Sequence, residues 1–185
     1  MNQNKKFAAL ILTHGRPNNV FTHKTLRKCG YTGDIYIVID NQDEKANEYY
    51  SVFGKENVFM FDKKAISETF DTGDTSEDRR TIVYARNASF DIAKQLGLDY
   101  FIQLDDDYNS FQFRWQEGES LKVRETKKMD EVIKAMINFL DTSKAATFAM
   151  AQGGDFIGGV NGTAIYKPLL RKAMNSFLFR TDNPT

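Results

Sequence analysis

The chain has one cysteine, two histidines and no excess charge of either sign, and each shortage removes a class of function. In 185 residues the single thiol, Cys29, allows no intramolecular disulfide, which suits a reducing cytoplasm. Without a CxxC companion it reads as a buried apolar filler rather than a nucleophile. His14 and His23 have no partner at metal-ligand spacing, which removes a zinc site. Lys plus Arg is 25 and Asp plus Glu is 25, so no global field draws in a polyanion. A nucleic-acid partner would have to be held by a local basic patch. Long apolar runs are missing as well. The first, in "MNQNKKFAALILTHGR", has the length of a strand and is followed by no small-residue cleavage pattern. The expectation is a cytoplasmic protein without a leader or membrane helix. Neither GxSxG nor a Walker-type GxxxxGK occurs, and there is no internal repeat or low-complexity linker.

What is present alternates between two patterns. "FAALILT" (7–13) and "DIYIVID" (34–40) are continuous apolar runs of the kind that lie in a parallel sheet covered on both faces. "NVFMFD" (57–62) and "DYFIQLD" (99–105) repeat the signal, and "ATFAMAQ" and "TAIYK" read as later strands. Between them, "NVFTHKTLRKCGYTG" reads as a helix that Asn18 or Asn19 caps and that Gly30 and Gly33 end. "EKANEYYSVFG" and "KKMDEVIKAMINFLDTS" are further helices. "TIVYARNASFDIAKQLG" places Ile82, Ala85, Ser89, Ile92 and Leu96 near one helical face. Residues 63–80, polar and aperiodic, read as a loop. The alternation predicts an α/β domain with a mainly parallel, Rossmann-like sheet flanked by helices. Its ligands should lie at the carboxyl ends of the strands.

The strand ends are therefore the informative positions. The first ends in Thr13, His14, Gly15, Arg16 and Pro17, where a glycine, a cation and a helix start arrive together and favour an anion; an ordinary βα turn has the same composition. The second ends in Asp40, able to accept bonds from a base or ribose, or simply to cap the next helix. Arg86 and Asn87 interrupt an otherwise apolar-periodic helix, where Arg86 can reach a phosphate or can lie on a solvated face. The fourth strand ends in Asp105, Asp106 and Asp107. Three adjacent carboxylates repel in a partly dry site, and a divalent cation removes that cost. Hard oxygen ligands suit Mg²⁺ or Mn²⁺. Period-two geometry makes Asp105 and Asp107 the natural pair and leaves Asp106 to hold the turn; a solvated acidic turn is the alternative. "GGDFIGG" (153–159) is either a loop that admits a ligand closely or a flexible turn. The segment "FQFRWQEGESLKVRETKK" carries Arg114, Lys122, Arg124, Lys127 and Lys128 among aromatic residues, either a phosphate-backbone contact or a solvated charged face.

In this order the motifs resemble a GT-A glycosyltransferase. The stretches "ILTHGRPNNVFTHKTLRKCGYTG", "IYIVIDN", "RNASFDIAKQLGLDYFIQLDDDY" and "GGVNGTAIYK" are similar to the TET-associated glycosyltransferase family over nearly the whole chain. Members occur in tailed phages and are implicated in adding sugars to hydroxymethylated bases of phage DNA. The resemblance implies one GT-A-like domain over 1–185, with a nucleotide-sugar half at 1–110 and an incomplete acceptor-side half at 111–185. It implies a nucleotide-sugar donor, most often a UDP-sugar, and a Mn²⁺ or Mg²⁺ ion on Asp105 and Asp107 of the DxD position. Thr13, His14, Gly15, Arg16, Asp40, Arg86, Asp105 and Asp106 would face the donor, and Asp155 is the one nameable general base. The acceptor would be DNA, and the location the host cytoplasm. GT-A enzymes usually supply a late acidic residue or histidine, whereas this sequence stops at "FLFRTDNPT", so a shortened form is expected. A nucleotidyltransferase acting on a sugar phosphate, or a binding module without turnover, are the alternatives.

Overall fold

The structure is a computed structural model and describes residues 5–69, 82–156 and 172–182. Five strands point one way in a six-stranded sheet of order β3-β2-β1-β4-β8-β7. They are β1 (Phe7–Leu12), β2 (Asp34–Asp40), β3 (Val58–Phe61), β4 (Tyr100–Asp105), β7 (Thr147–Ala151) and β8 (Ala173–Arg180), the last inserted antiparallel between β4 and β7. A separate hairpin joins β5 (Gln112–Glu117) to β6 (Ser120–Glu125). The helices are α1 (Phe21–Lys28), α2 (Ala46–Phe53), α3 (Lys63–Ser67), α4 (Val83–Gln95) and α5 (Met129–Thr142). The chain is thus a mixed α/β domain with a mostly parallel central sheet and helices on both sides.

The continuous apolar runs are explained by two cores. Along β1, Ala9 and Ile11 enter one core with Leu26, Ile37, Tyr49, Ile102, Leu104, Met129 and Ile133. Ala8, Leu10 and Leu12 enter the other with Val38, Phe61, Tyr84, Ala88, Ile92 and Phe101. Successive side chains of a strand point to opposite faces, so a strand covered on both faces is apolar at every position. Fully burying each large aliphatic chain contributes about 1.5–3 kcal/mol, so the β1–β4 centre is the chief source of stability.

Three local expectations are corrected, and one segment without an assigned element is placed. Neither Asn18 nor Asn19 caps α1: both lie in the 3-10 turn Pro17–Asn19, the cap position is Val20, and no side chain bonds there. The backbone N–H of Thr22 instead donates to the Asp106 carbonyl at 3.0 Å. The stretch read as a loop from residue 63 begins with α3, because Asp62 accepts from the N–H groups of Lys64 and Ala65 and nucleates a turn; residues 70–81 lie outside the described residues. The buried stripe of α4 is Tyr84, Ala88, Ser89, Ile92 and Ala93, leaving Ile82 exposed. Finally, "FQFRWQEGESLKVRE" is a hairpin turning at Gly118 and Glu119. The proposed strand "TAIYK" and the segment "GGVNG" lie outside the described residues.

One glycine ties the halves together. Gly30 ends α1 with φ 86°, and a Cβ there would lie 2.2 Å from the Lys127 carbonyl oxygen. Beside it the Met129 N–H donates to the Cys29 carbonyl at 3.0 Å, so α5 is anchored to the end of α1. Cys29 is fully buried.

Candidate functional site

The carboxyl ends of β1, β2 and β4 converge because these strands are neighbours in register, Leu12 beside Val38 and Asp105. The residues just beyond them are bonded into one polar shelf. Thr13 is buried, and its hydroxyl donates to Asp106 Oδ2 at 2.5 Å. That uses its only proton, so the Tyr49 hydroxyl, 3.0 Å away, is the donor in the next bond and accepts in turn from the Arg16 N–H at 2.9 Å. Burial pushes the Tyr49 phenol up, which keeps it protonated for that role. Arg16 Nε completes the ring with a 2.8 Å ion pair to Asp106 Oδ2. Asp106, 1% exposed, is thus held by Thr13 and Arg16 and fixes the turn.

A second cluster holds the other side of the loop. His14 Nδ1 lies 2.7 Å from Asp40 Oδ2; a carboxylate only accepts, so Nδ1 carries the proton. Asp40 also accepts from the Gln42 N–H and has Lys63 Nζ at 3.6 Å. Asp43 accepts from the Gly15 N–H at 2.7 Å and from the Lys45 N–H at 2.9 Å. Gly15 has φ 72°, and a Cβ there would meet nothing within 4 Å, so its outer side is open to a ligand.

Asp105 differs from its neighbour. Its Oδ2 accepts from Asn175 Nδ2 at 2.7 Å, while Oδ1 is buried and has no hydrogen-bond partner among the described residues. The Arg86 guanidinium stands 3.6 Å from Oδ1 and 5.1 Å from the Phe177 ring centre. Burial raises the Asp105 carboxyl above the usual range; Asn175 and Arg86 counteract this, and Asp107 and Asp106 add to it. An ionised oxygen buried without a donor is costly, and a cation or a ligand hydroxyl would satisfy it. Asp107 is exposed and takes no ion pair among the described residues. Those residues gather no group of three or more His, Cys, Asp and Glu side chains suited to an ion. Asp105 Oδ1 and the exposed Asp107 carboxylate are nonetheless hard oxygen donors of the type a divalent cation accepts. Thr22 supports the turn from below: its hydroxyl donates to the Asp105 carbonyl at 2.6 Å and accepts from the Tyr108 N–H at 2.9 Å.

The structure thus brings Thr13, His14, Gly15, Arg16, Asp40, Arg86, Asp105, Asp106 and Asp107 to one end of the sheet. Asp155 belongs by its backbone to the 3-10 turn Gly153–Phe156, but its side chain lies outside the described residues. Sequence reasoning missed Tyr49, Asp43, Lys63 and Asn175. Asp43 alone carried a signal, in the "DNQD" stretch after the second strand. On the other side of the aspartate turn, Phe111, Arg114, Met129, Val132, Met150, Phe156 and neighbouring residues line a cavity of about 370 Å³. A second cavity, about 550 Å³, lies at the opposite end of β4 beside Tyr100 and Thr181, away from this chemistry.

No curated protein matches the chain. A solved 4-diphosphocytidyl-2C-methyl-D-erythritol synthase aligns at 13% identity, covering 97% of this chain and 75% of its own, with a TM-score of 0.45. The synthase of the same name from Anaerococcus prevotii DSM 20548 aligns at 14% identity over 96% and 70%, with a TM-score of 0.43. A sequence model of the TET-associated glycosyltransferase family matches residues 7–185. No helix among the described residues is long and apolar enough to cross a membrane. The chain belongs to the TET-associated glycosyltransferase family and is a glycosyltransferase.

Proposed function

We propose that the chain moves a sugar from a nucleotide-sugar donor, a UDP-sugar in the first instance, to the hydroxyl of a hydroxymethylated pyrimidine in phage DNA. The observation that carries this reading is the buried, unpartnered Oδ1 of Asp105 at the end of β4, with Arg86 beside it. Asp105 and Asp107 would hold Mg²⁺ or Mn²⁺, which when bound neutralises charge on the leaving diphosphate. The remaining roles belong to the chain. The open side of Gly15 lets a phosphate or ribose approach the backbone. Arg16, fixed on Asp106, and Arg86, fixed over Phe177, set two cations on the rim of the site before any ligand arrives. Asp40 and His14 together form a polar edge for the base or ribose. Asp155 remains the candidate base for the acceptor hydroxyl.

The test is a panel of UDP- and GDP-sugars incubated with hydroxymethylcytosine DNA and Mn²⁺, followed by mass spectrometry of the digested nucleosides. A nucleoside heavier by one hexose supports the reading. Turnover of a nucleoside triphosphate with a sugar phosphate, and no transfer to DNA, would replace it.

A further inference from the structure

The β5–β6 hairpin takes no part in the shelf described above, yet it carries a concentrated set of exposed rings and cations. Pairing places Phe113 opposite Arg124 and Trp115 opposite Lys122, so these four side chains share one face of the ribbon. Phe113 is 50% and Trp115 41% exposed. The opposite face carries Arg114, which is partly buried and lies 4.9 Å from the Phe156 ring centre, so that face meets the body of the domain at the 3-10 turn. The ring-bearing face is open to solvent at Phe113 and Trp115, although the opposite face is also open at Val123 and Phe113 borders the 370 Å³ cavity. Two large rings two residues apart are costly to leave in water, and their neighbours across the ladder are both cations. Arg124 stands 6.0 Å from the Trp115 ring centre, and Lys122 is paired only loosely, 3.7 Å from an exposed Glu117.

We propose that this face is the surface on which a single-stranded stretch of the nucleic-acid acceptor lies, with bases stacked on Phe113 and Trp115 and phosphates held by Lys122 and Arg124. The proposal rests on the nucleic-acid acceptor reading above. Rings interleaved with cations match a strand in which planar bases alternate with phosphates, and such stacking needs no base sequence. The charges of residues 112–125 balance, Arg114, Lys122 and Arg124 against Glu117, Glu119 and Glu125, so the attraction is local to the ring-bearing face, where Lys122 and Arg124 stand with Glu117 alone. Position agrees. Gln112 follows Asp107 by five residues, so the root of the hairpin lies within about 18 Å of that carboxylate. The intervening Tyr108 donates to the Asn175 carbonyl, and Asn175 bonds Asp105. A strand lying on the ribbon is thereby delivered toward the donor shelf.

Trp115 is the single tryptophan, so intrinsic emission reports on this face alone. Titration with oligothymidylate at low salt is expected to quench it and to saturate. Anisotropy of a labelled oligothymidylate should show roughly tenfold weaker binding for Phe113→Ala with Trp115→Ala, and near wild-type binding for Trp115→Phe, which keeps a ring and the hairpin. Lys122→Gln and Arg124→Gln should each weaken binding and lower the salt slope by about 0.7. Unchanged binding in the ring variants overturns the proposal. So does quenching by phosphatidylserine vesicles but not by oligothymidylate, which would assign the face to a membrane surface. Donor hydrolysis by water separates the two levels, because ring variants should keep it. If ring variants glycosylate hydroxymethylated DNA at the wild-type rate, the hairpin surface falls and the acceptor reading stands. If oligothymidylate quenches Trp115 and no DNA accepts a sugar, the acceptor reading falls and the surface stands.

Discussion

The shelf at the end of β4 and the β5–β6 hairpin, which begins five residues after Asp107, are built on opposite principles. On the shelf, Thr13, Arg16, Tyr49 and Asp106 bond one another, and the one conspicuous polar atom left over is Asp105 Oδ1. On the hairpin, large apolar groups are left exposed instead, and most of the polar groups are in solvent. The first region is organised before its ligand comes. The second has a stable backbone ladder but an unsatisfied surface. A rigid donor side suits charge stabilisation, which depends on groups already in place. An open ribbon suits a long, variable partner.

Four changes test this contrast, the strongest first. Asp105→Asn is expected to lower sugar transfer by two to three orders of magnitude, as loss of a charge-stabilising group does, read as kcat in the transfer assay. The same variant should not lower stability near neutral pH. Burial raises the Asp105 carboxyl in the folded state, so its ionised form opposes folding. Its favourable contribution is full below the unfolded value near 3.8 and is lost as pH rises through the raised folded value. Urea midpoints of wild type and variant, compared across that acid range and at neutrality, check both parts. A large stability loss at neutral pH would show that Asp105 is structural, and the contrast would break.

Gly30→Ala strikes the seam between the two regions. It combines a positive φ with a Cβ 2.2 Å from the Lys127 carbonyl oxygen, and should cost about 2–4 kcal/mol in urea unfolding. Asp106→Asn removes the charge that Arg16 pairs with and leaves one amide oxygen to accept from Thr13. Because Arg16 is half exposed, the cost should be only about 1–2 kcal/mol, with donor KM rising more than kcat falls. The smallest effect is expected on the ribbon: Trp115→Ala should change the urea midpoint by no more than about 0.5 kcal/mol equivalent, since exposed side chains contribute little to folding. A larger loss there would mean the ring packs on the domain and is not a free surface.

How far the sequence was legible follows the same division. The sheet was readable because burial on both faces leaves uninterrupted apolar runs, and the aspartate turn because three carboxylates end one of them. Alternation along that turn set Asp106 apart from Asp105 and Asp107, and in the structure Asp106 is the most buried of the three. Tyr49 and Asn175 were not readable. Tyr49 sits on an apolar helix face, where a tyrosine looks like core, and Asn175 comes from β8, whose antiparallel insertion beside β4 no local pattern announces. The hairpin was hidden by its own exposure. Its residues do alternate, Phe113 and Trp115 with Gln112, Arg114 and Gln116, and Leu121 and Val123 with Lys122 and Arg124, but the charges and the exposure of both faces drew the reading to a solvated face.

Thr22 has a consequence for anyone rebuilding this protein. It joins the first turn of α1 to the carbonyls and N–H groups at 105–108, and α1 has no side-chain cap of its own. The segments 13–22 and 105–108 are therefore one inheritable cassette. A chimera that exchanges the aspartate turn with a relative must carry the first loop and helix start with it, or each parent will supply half of a joint that the other half does not fit.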